Sequence, residues 1–310
     1  MATYLIRRLL HMIPIIFGVA LLTFMLFSVF GEDPVTLSLG NHATPESIAA
    51  LRALWGLDQP LYMQFLEFLR QIITFDFGVS YSTGESLTDM FKDGLVVSLM
   101  LTVPPFIIGT IINVSLSLLI AYNRGSGLDR VSTVVSLAMM SISYLVYIIV
   151  FQYLLTYKID IFPVQGFESG WASIVYLMLP WLIIMVVSIG PDIRVYRTVF
   201  LDETKADYIR TARAKGASEN RVLFVHLFKN AMIPILTNTI IAIPFLFMGA
   251  FLLERYFSLP GIGSVMINAI NEGDFPILKA MTVLTAILYS LFNLLTDVMY
   301  AVVDPRVKLN

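Results

Sequence analysis

Six apolar runs, each long enough to cross a bilayer, limit what this 310-residue chain can fold into; they fall at 9–30, 95–121, 131–155, 173–190, 233–253 and 277–303. About 20 apolar residues make roughly 30 Å of helix, the thickness of a hydrocarbon core. Inside that core every backbone amide and carbonyl must be paired within the chain, so each run is expected to be a helix. Composition agrees: hydrophobic residues make up 57% of the chain and charged residues 14%, against roughly 45–50% and about 25% in soluble domains. The fold expected is an all-α polytopic membrane protein with six transmembrane helices. The first run follows Arg7 and Arg8, is too long for a signal-peptide core and has no small-residue cleavage site after it, so it is read as an uncleaved span.

Charge orients the bundle. Six spans put both termini on one side, and that side carries 14 of the Lys and Arg residues against 6 on the other. The matching acids number 8 and 14, giving net charges of +6 and −8. The basic side, with both termini, is therefore expected to be cytoplasmic. The segment 31–94 then lies outside, with apolar-faced short helices expected at 45–55 and 61–73, either on the membrane surface or packed on the outer ends of the spans. A second outer loop, 254–276, carries Leu259-Pro260-Gly261-Ile262-Gly263.

On the basic side the longest charged stretch is 202–234, in which six Lys or Arg residues meet four acids. Two short helices fit it. Asp202 or Thr204 is placed to cap the first, with Asp207 at capping-box spacing from Thr204, and Gly216 to end it in a left-handed conformation. Ser218 is placed to cap the second, whose Phe224, Leu227, Phe228 and Ala231 form an apolar face, and Pro234 marks the start of the next span.

Catalysis finds no support in the residues. There is no cysteine, His11, His42 and His226 are far apart, and neither HExxH, GxSxG nor a Gly-x4-Gly-Lys-[Ser/Thr] loop occurs. The expectation is a non-enzyme with no cofactor or metal. If ATP drives the chain, the nucleotide is handled by another polypeptide, and 202–234 is suited to be the contact with it. A rigid short helix with small residues such as Ala212 and Ala214, ended at Gly216, can seat in a groove on a moving partner.

Asp207-Tyr208-Ile209-Arg210-Thr211-Ala212-Arg213-Ala214-Lys215-Gly216 resembles the coupling-loop motif of ABC-importer permeases, in the form typical of oligopeptide and dipeptide B-type subunits. His226, Asn230 and Pro234 continue that likeness, and further segments extend it over nearly the whole chain. They are Ile6-Arg7-Arg8-Leu9, Asp33-Pro34, Gly56-Leu57-Asp58-Gln59-Pro60-Leu61-Tyr62, Asp76-Phe77-Gly78, Phe162-Pro163-Val164, the Leu-Pro-Gly-Ile-Gly loop, and Asn293, Asp297, Tyr300 and Asp304-Pro305-Arg306. Three departures stand out. Arg210, Thr211 and Ala212 occupy the places of the general importer's Glu-Ala-Ala. Phe30-Gly31-Glu32-Asp33-Pro34 stands where the family has Pro-Gly-Asp-Pro. The third span reads Ser141-Ile142-Ser143-Tyr144-Leu145, without the family's proline.

The resemblance implies a type I importer permease in the bacterial inner membrane. Its partners would be a second, homologous permease subunit, two cytoplasmic ABC ATPases, an extracytoplasmic solute-binding protein and a peptide substrate; no nucleic acid is expected. It implies four parts: an N-terminal span (1–30), an outer loop (31–94), the transmembrane domain with its coupling loop (95–304) and a tail (305–310). Asp207, Tyr208, Ile209, Arg210, Ala212, Arg213, Ala214, Lys215 and Gly216 would carry the ATPase contact.

Other residues keep two readings. Asn113 and Asn238 either line a polar path or hydrogen-bond between helices. Asp297 is either an intramembrane proton relay, as in a self-sufficient proton-coupled carrier, or half of a structural pair with a loop arginine. Asp304 and Arg306 read as a helix-end ion pair. Pro104, Pro105, Pro180 and Pro244 read as kinks, gating or static, and the acidic outer loop as a docking surface for a binding protein or simply a solvated segment.

Overall fold

The computed structural model describes residues 2–40, 44–168 and 170–303, with side chains described between 6 and 298. Almost all of it is helical. A first helix, α1 (Ala2–Phe24), continues as a wide π turn (Met25–Val29). Three short outer helices follow: α2 (Pro34–Leu39), α3 (Pro45–Leu54) and α4 (Leu61–Thr74). Each start has a local cause. Asp33 caps α2 with Pro34 in its first turn, and Thr44 and Ser47 form a reciprocal capping box on α3. α4 packs on the outer ends of the spans: its Phe68 and Ile72 are buried in one cluster with Phe24, Phe77, Phe91 and Ile277.

The centre of the bundle is α5 (Leu87–Tyr122) against α8 (Ser173–Thr204), which run in the same direction. Pro104 and Pro105 do not break α5. A proline at 104 leaves the Met100 carbonyl without its helical amide donor, and the Trp181 indole of α8 supplies one at 3.0 Å. α8 likewise passes through Pro180 and Pro191 and continues 14 residues beyond the expected end at Gly190. At Gly190 it runs so close to its neighbour that a Cβ would meet the Ser136 carbonyl at 3.0 Å.

That neighbour departs from expectation. The run 131–155 is not one straight span but α6 (Gly127–Ser141) and α7 (Tyr144–Gln152), the latter prolonged by a π turn to Lys158 and bent 92° from α6. Ile142 and Ser143 adopt extended conformations, and the Met139 carbonyl at the end of α6 accepts from the Ile142 amide at 3.4 Å and from the Tyr147 hydroxyl at 3.0 Å. Hydropathy cannot register two extended residues inside an apolar run. Among the described residues five helices are long and apolar enough to span, and the bent pair makes a sixth if its two halves form one broken span.

The basic stretch folds as α9 (Asp207–Ala214), then α10 (Glu219–Arg221), a π turn (Val222–Leu227) and α11 (Phe228–Phe247) as one continuous rod. Four local expectations are corrected here. Thr204 is the last residue of α8 and Asp202 lies within it, so neither caps α9, whose N-cap is Ala206. Ser218 occupies the N-cap position of α10 without a side-chain hydrogen bond. Pro234 lies inside α11 and does not start it, and Phe224 is exposed while Val222 takes the buried place. The wide turn is the reason: Val222 and Leu227, five residues apart, face the same way, so α spacing counted back from Leu227 picks the wrong residue.

After α11 come α12 (Phe251–Tyr256), α13 (Ile262–Glu272) and α14 (Phe275–Val303). α14 packs against α1, and Arg8 pairs with Asp297 at 2.7 Å, so the start of α1 and the end of α14 share one end of the bundle. His42, Asp304 and Arg306, the tail 305–310 and the side chain of Tyr300 fall outside the described residues.

Candidate coupling helix and the two ends of the bundle

α9 is held by its inner face and free on its outer one. Ile209 is fully buried and Ala212 nearly so, in a cluster with Val114, Leu118, Phe200, Leu227 and Ala231 that ties α9 to α5, α8 and α11. Asp207, Tyr208, Arg210, Arg213, Ala214, Lys215 and Gly216 are exposed. Of the two alanines expected to allow close approach by a partner, Ala214 is on the open surface and Ala212 seats the helix.

Gly216, at φ +77°, turns the chain back, and the Ala217 amide closes the end of α9 on the Ala212 carbonyl at 3.2 Å. Across that turn Arg213 grips Glu219 with two bonds of 3.0 and 3.1 Å, holding α9 and α10 at a fixed angle. The Tyr208 hydroxyl donates to the Glu203 carboxylate, and burial together with that carboxylate pushes the phenol above its ordinary range. The outcome is a short, rigid, charged helix projecting from the end of the bundle that carries the basic excess.

Deeper in, Asn113 is fully enclosed between α5 and α8, where its amide donates to Ser188 Oγ at 3.0 Å and to Asp192 Oδ2 at 2.8 Å. Asn238 lies exposed on α11. Asp192 escaped the sequence reading because the fourth span was ended at Gly190; the apolar pattern of Ile193, Tyr196 and Phe200 running on at helical spacing was the signal for it. Nearer the cytoplasmic end, Asp129 accepts from the Gly125 amide at 2.9 Å and from Arg197 at 2.6 Å, fixing the α5–α6 turn to α8.

At the other end, the Leu-Pro-Gly-Ile-Gly loop closes on a buried carboxylate that the sequence reading also missed. Glu254, fully buried, accepts from Ser98 Oγ of α5 at 2.8 Å, from the Ala250 amide at 3.0 Å and from the Ser264 amide at 2.9 Å. Ser98 in turn accepts from the Ile262 amide at 2.8 Å. The glycines make room for it: a Cβ on Gly261 would lie 2.5 Å from the carboxylate, and one on Gly263 2.8 Å. An acid inside Phe251-Leu252-Leu253-Glu254, just ahead of a glycine-rich loop, was the available signal.

These features can be set beside known proteins. The family described as binding-protein-dependent transport system inner membrane component matches residues 113–309, and the corresponding N-terminal family matches residues 1–102. The chain belongs to this family. Its curated relatives are aligned essentially end to end. A probable peptide ABC transporter permease of Sinorhizobium fredii is 34% identical, over 99% of this chain and all of the relative. The oligopeptide transport system permease AppB of Bacillus subtilis is 32% identical over 99% of this chain and all of its own length. The glutathione transport system permease GsiC of Shigella flexneri is 31% identical over 99% of both. The permease is thus an all-α, multi-pass inner-membrane protein of a binding-protein-dependent transport system.

Proposed function

We propose that the permease is one half of the translocation path of an ATP-driven peptide importer and that α9 is the handle by which separate ATPases move it. One observation carries the reading: α9 is anchored by Ile209 and Ala212 to three long helices while its charged face is left open. A displacement of α9 is therefore passed directly to α5, α8 and α11. Peptide as substrate rests on the relatives, whose names include peptide, oligopeptide and glutathione permeases.

The partners proposed are a second, homologous permease subunit, two cytoplasmic ABC ATPases and an extracytoplasmic solute-binding protein. The transporting unit is taken as 95–304, to which the first span (1–30) and the outer loop (31–94) are added. ATP hydrolysis belongs to the partners, and the exposed Asp207, Tyr208, Arg210, Arg213, Ala214, Lys215 and Gly216 form the contact with them, while Ile209 and Ala212 pass the movement inward. The proton-coupled alternative is not retained, because Asp297 is engaged by Arg8.

The test uses exposed positions, so that the bundle itself is undisturbed. Ala214→Asp and Arg210→Glu, expressed with the neighbouring subunits, are expected to insert normally, to lose ATPase co-purification and to abolish peptide uptake. Normal ATPase recovery with both variants would overturn the assignment of α9.

A further inference from the structure

Lys279, in the second turn of α14, is a cation without a carboxylate. The ion pairs of the described residues join Arg8 to Asp297, Arg52 to Asp33, Arg70 to Glu67 and Arg197 to Asp129, besides those of the cytoplasmic elbow, and none includes Lys279. Its ammonium sits 5.8 Å from the Phe24 ring and 5.6 Å from the Phe68 ring, with Ser28 Oγ at 3.5 Å. Aromatic faces and one distant hydroxyl are a poor exchange for water, and a cation withdrawn from water is costly unless an anion accompanies it. None of the acids nearby, Glu32, Asp33 and Glu67, pairs with it, and the chain leaves space beside it.

Two cavities of about 250 Å3 each meet at Lys279 and share Leu57, Gln64 and Tyr81. Together they reach the lower end of the roughly 300–1,000 Å3 of small-ligand sites. One wall is a flat aromatic stack, with the Trp55 and Tyr81 rings 3.9 Å apart and 4° from parallel. That wall is fixed: Ser80 Oγ and Ser82 Oγ, flanking Tyr81, donate to the buried Asp274 at 2.6 and 3.0 Å. Burial, reinforced by Asp274, pushes the Tyr81 phenol up to about 12, so at neutral pH it is a protonated donor. The glutamine side chains of Gln59 and Gln71 border one chamber and Glu32 the other.

We propose that this outer cleft binds small zwitterionic solutes through a free carboxylate, short peptides above all, with Lys279 as the carboxylate partner and the Trp55–Tyr81 stack as the platform for an apolar side chain. A single unpaired ammonium suits a monoanion. The Arg52 beside it is taken by Asp33, and an outer surface that is acidic overall disfavours a dianion such as phosphate. Glu32 at the rim suits the ammonium end of the same solute. The identity of the solute as a peptide rests on the importer reading above; the carboxylate chemistry does not.

The test is binding to the purified transporter complex in nanodiscs of uncharged lipid, without nucleotide or binding protein. The probes are alanyl-phenylalanine, its C-terminal amide and inorganic phosphate. The free acid is expected to raise the thermal unfolding midpoint and to bind at least tenfold more tightly than the amide. Lys279→Met, which replaces an unpaired cation by an apolar chain of similar length, is expected to keep the fold and to erase that difference. Equal binding of acid and amide, acid preference surviving in Lys279→Met, or stronger binding of phosphate would each overturn the site.

A Lys279-dependent stabilisation produced by phosphatidylglycerol nanodiscs and by no peptide would also overturn it, in favour of a lipid headgroup. Should Lys279→Met not assemble, Trp55→Ala decides: lost dipeptide binding supports the cleft and unchanged binding overturns it. Because ATPases and uptake play no part in the measurement, its failure leaves the coupling assignment standing, and failure of the coupling variants leaves this one standing.

Discussion

The two ends of the bundle each carry a short helical elbow, and they are fastened by opposite means. At the cytoplasmic end, α9 rests on two buried residues and otherwise shows exposed charge, with Arg213 and Glu219 pairing in the open. At the outer end, α12 and the Gly261–Ser264 turn are locked around a carboxylate with no access to water, met by a serine and backbone amides at hydrogen-bonding distance. The first arrangement is inexpensive to shift and leaves its surface for another molecule. The second is rigid, because moving any part exposes or orphans buried polar groups. The part proposed to be gripped and the part held rigid thus have different chemistry, although both are short helices beside a glycine.

The contrast breaks most severely if Glu254 is removed. Glu254→Ala leaves the Ser98 hydroxyl proton and two amides buried without acceptors, for an expected loss of about 3 kcal/mol or more. It should appear as a large fall in the thermal unfolding midpoint of the purified complex; an unchanged midpoint would show the clasp to be dispensable. Ile209→Ala comes next, at about 2–4 kcal/mol for a large core residue truncated. That loss is expected to be local, as faster proteolysis between Ala206 and Gly216 with the midpoint of the bundle little changed.

Gly216→Ala forces a side chain into a left-handed position and is expected to weaken the α9 turn by about 1–2 kcal/mol, measured as reduced ATPase co-purification that Gly216→Asn partly restores. Arg213→Ala is the smallest effect, within about 1 kcal/mol because the pair is exposed. Its readout is a salt-dependent loss of uptake rather than of stability. An Arg213→Ala effect as large as that of Glu254→Ala would erase the distinction between the two ends.

What the sequence made legible follows from what periodicity and composition encode. The apolar runs located the spans because bilayer thickness sets their length, and Gly216 announced its turn through a local backbone requirement. Two of the misses share a cause: the indole that compensates Pro104 and the Glu254 clasp come from far away in the chain. The bend at Ile142–Ser143 and the wide turn at Val222–Leu227 are local changes of backbone geometry that hydropathy does not record. Proline reads as a break until the indole that compensates it is seen, and Trp181 lies 77 positions from Pro104. Within the candidate handle, the residues forming α9 were read from the motif. Which of them face inward needed the packing, as Ala212 and Ala214 illustrate.

The π turn at Val222–Leu227 has a mechanical corollary. Lying between the elbow and the long rod of α11, it holds one residue more than an α turn requires. Drawing that residue into α geometry would lengthen the rod by about 1.5 Å, so if α9 is the handle proposed above, a stroke of that size is available before any transmembrane contact must slide.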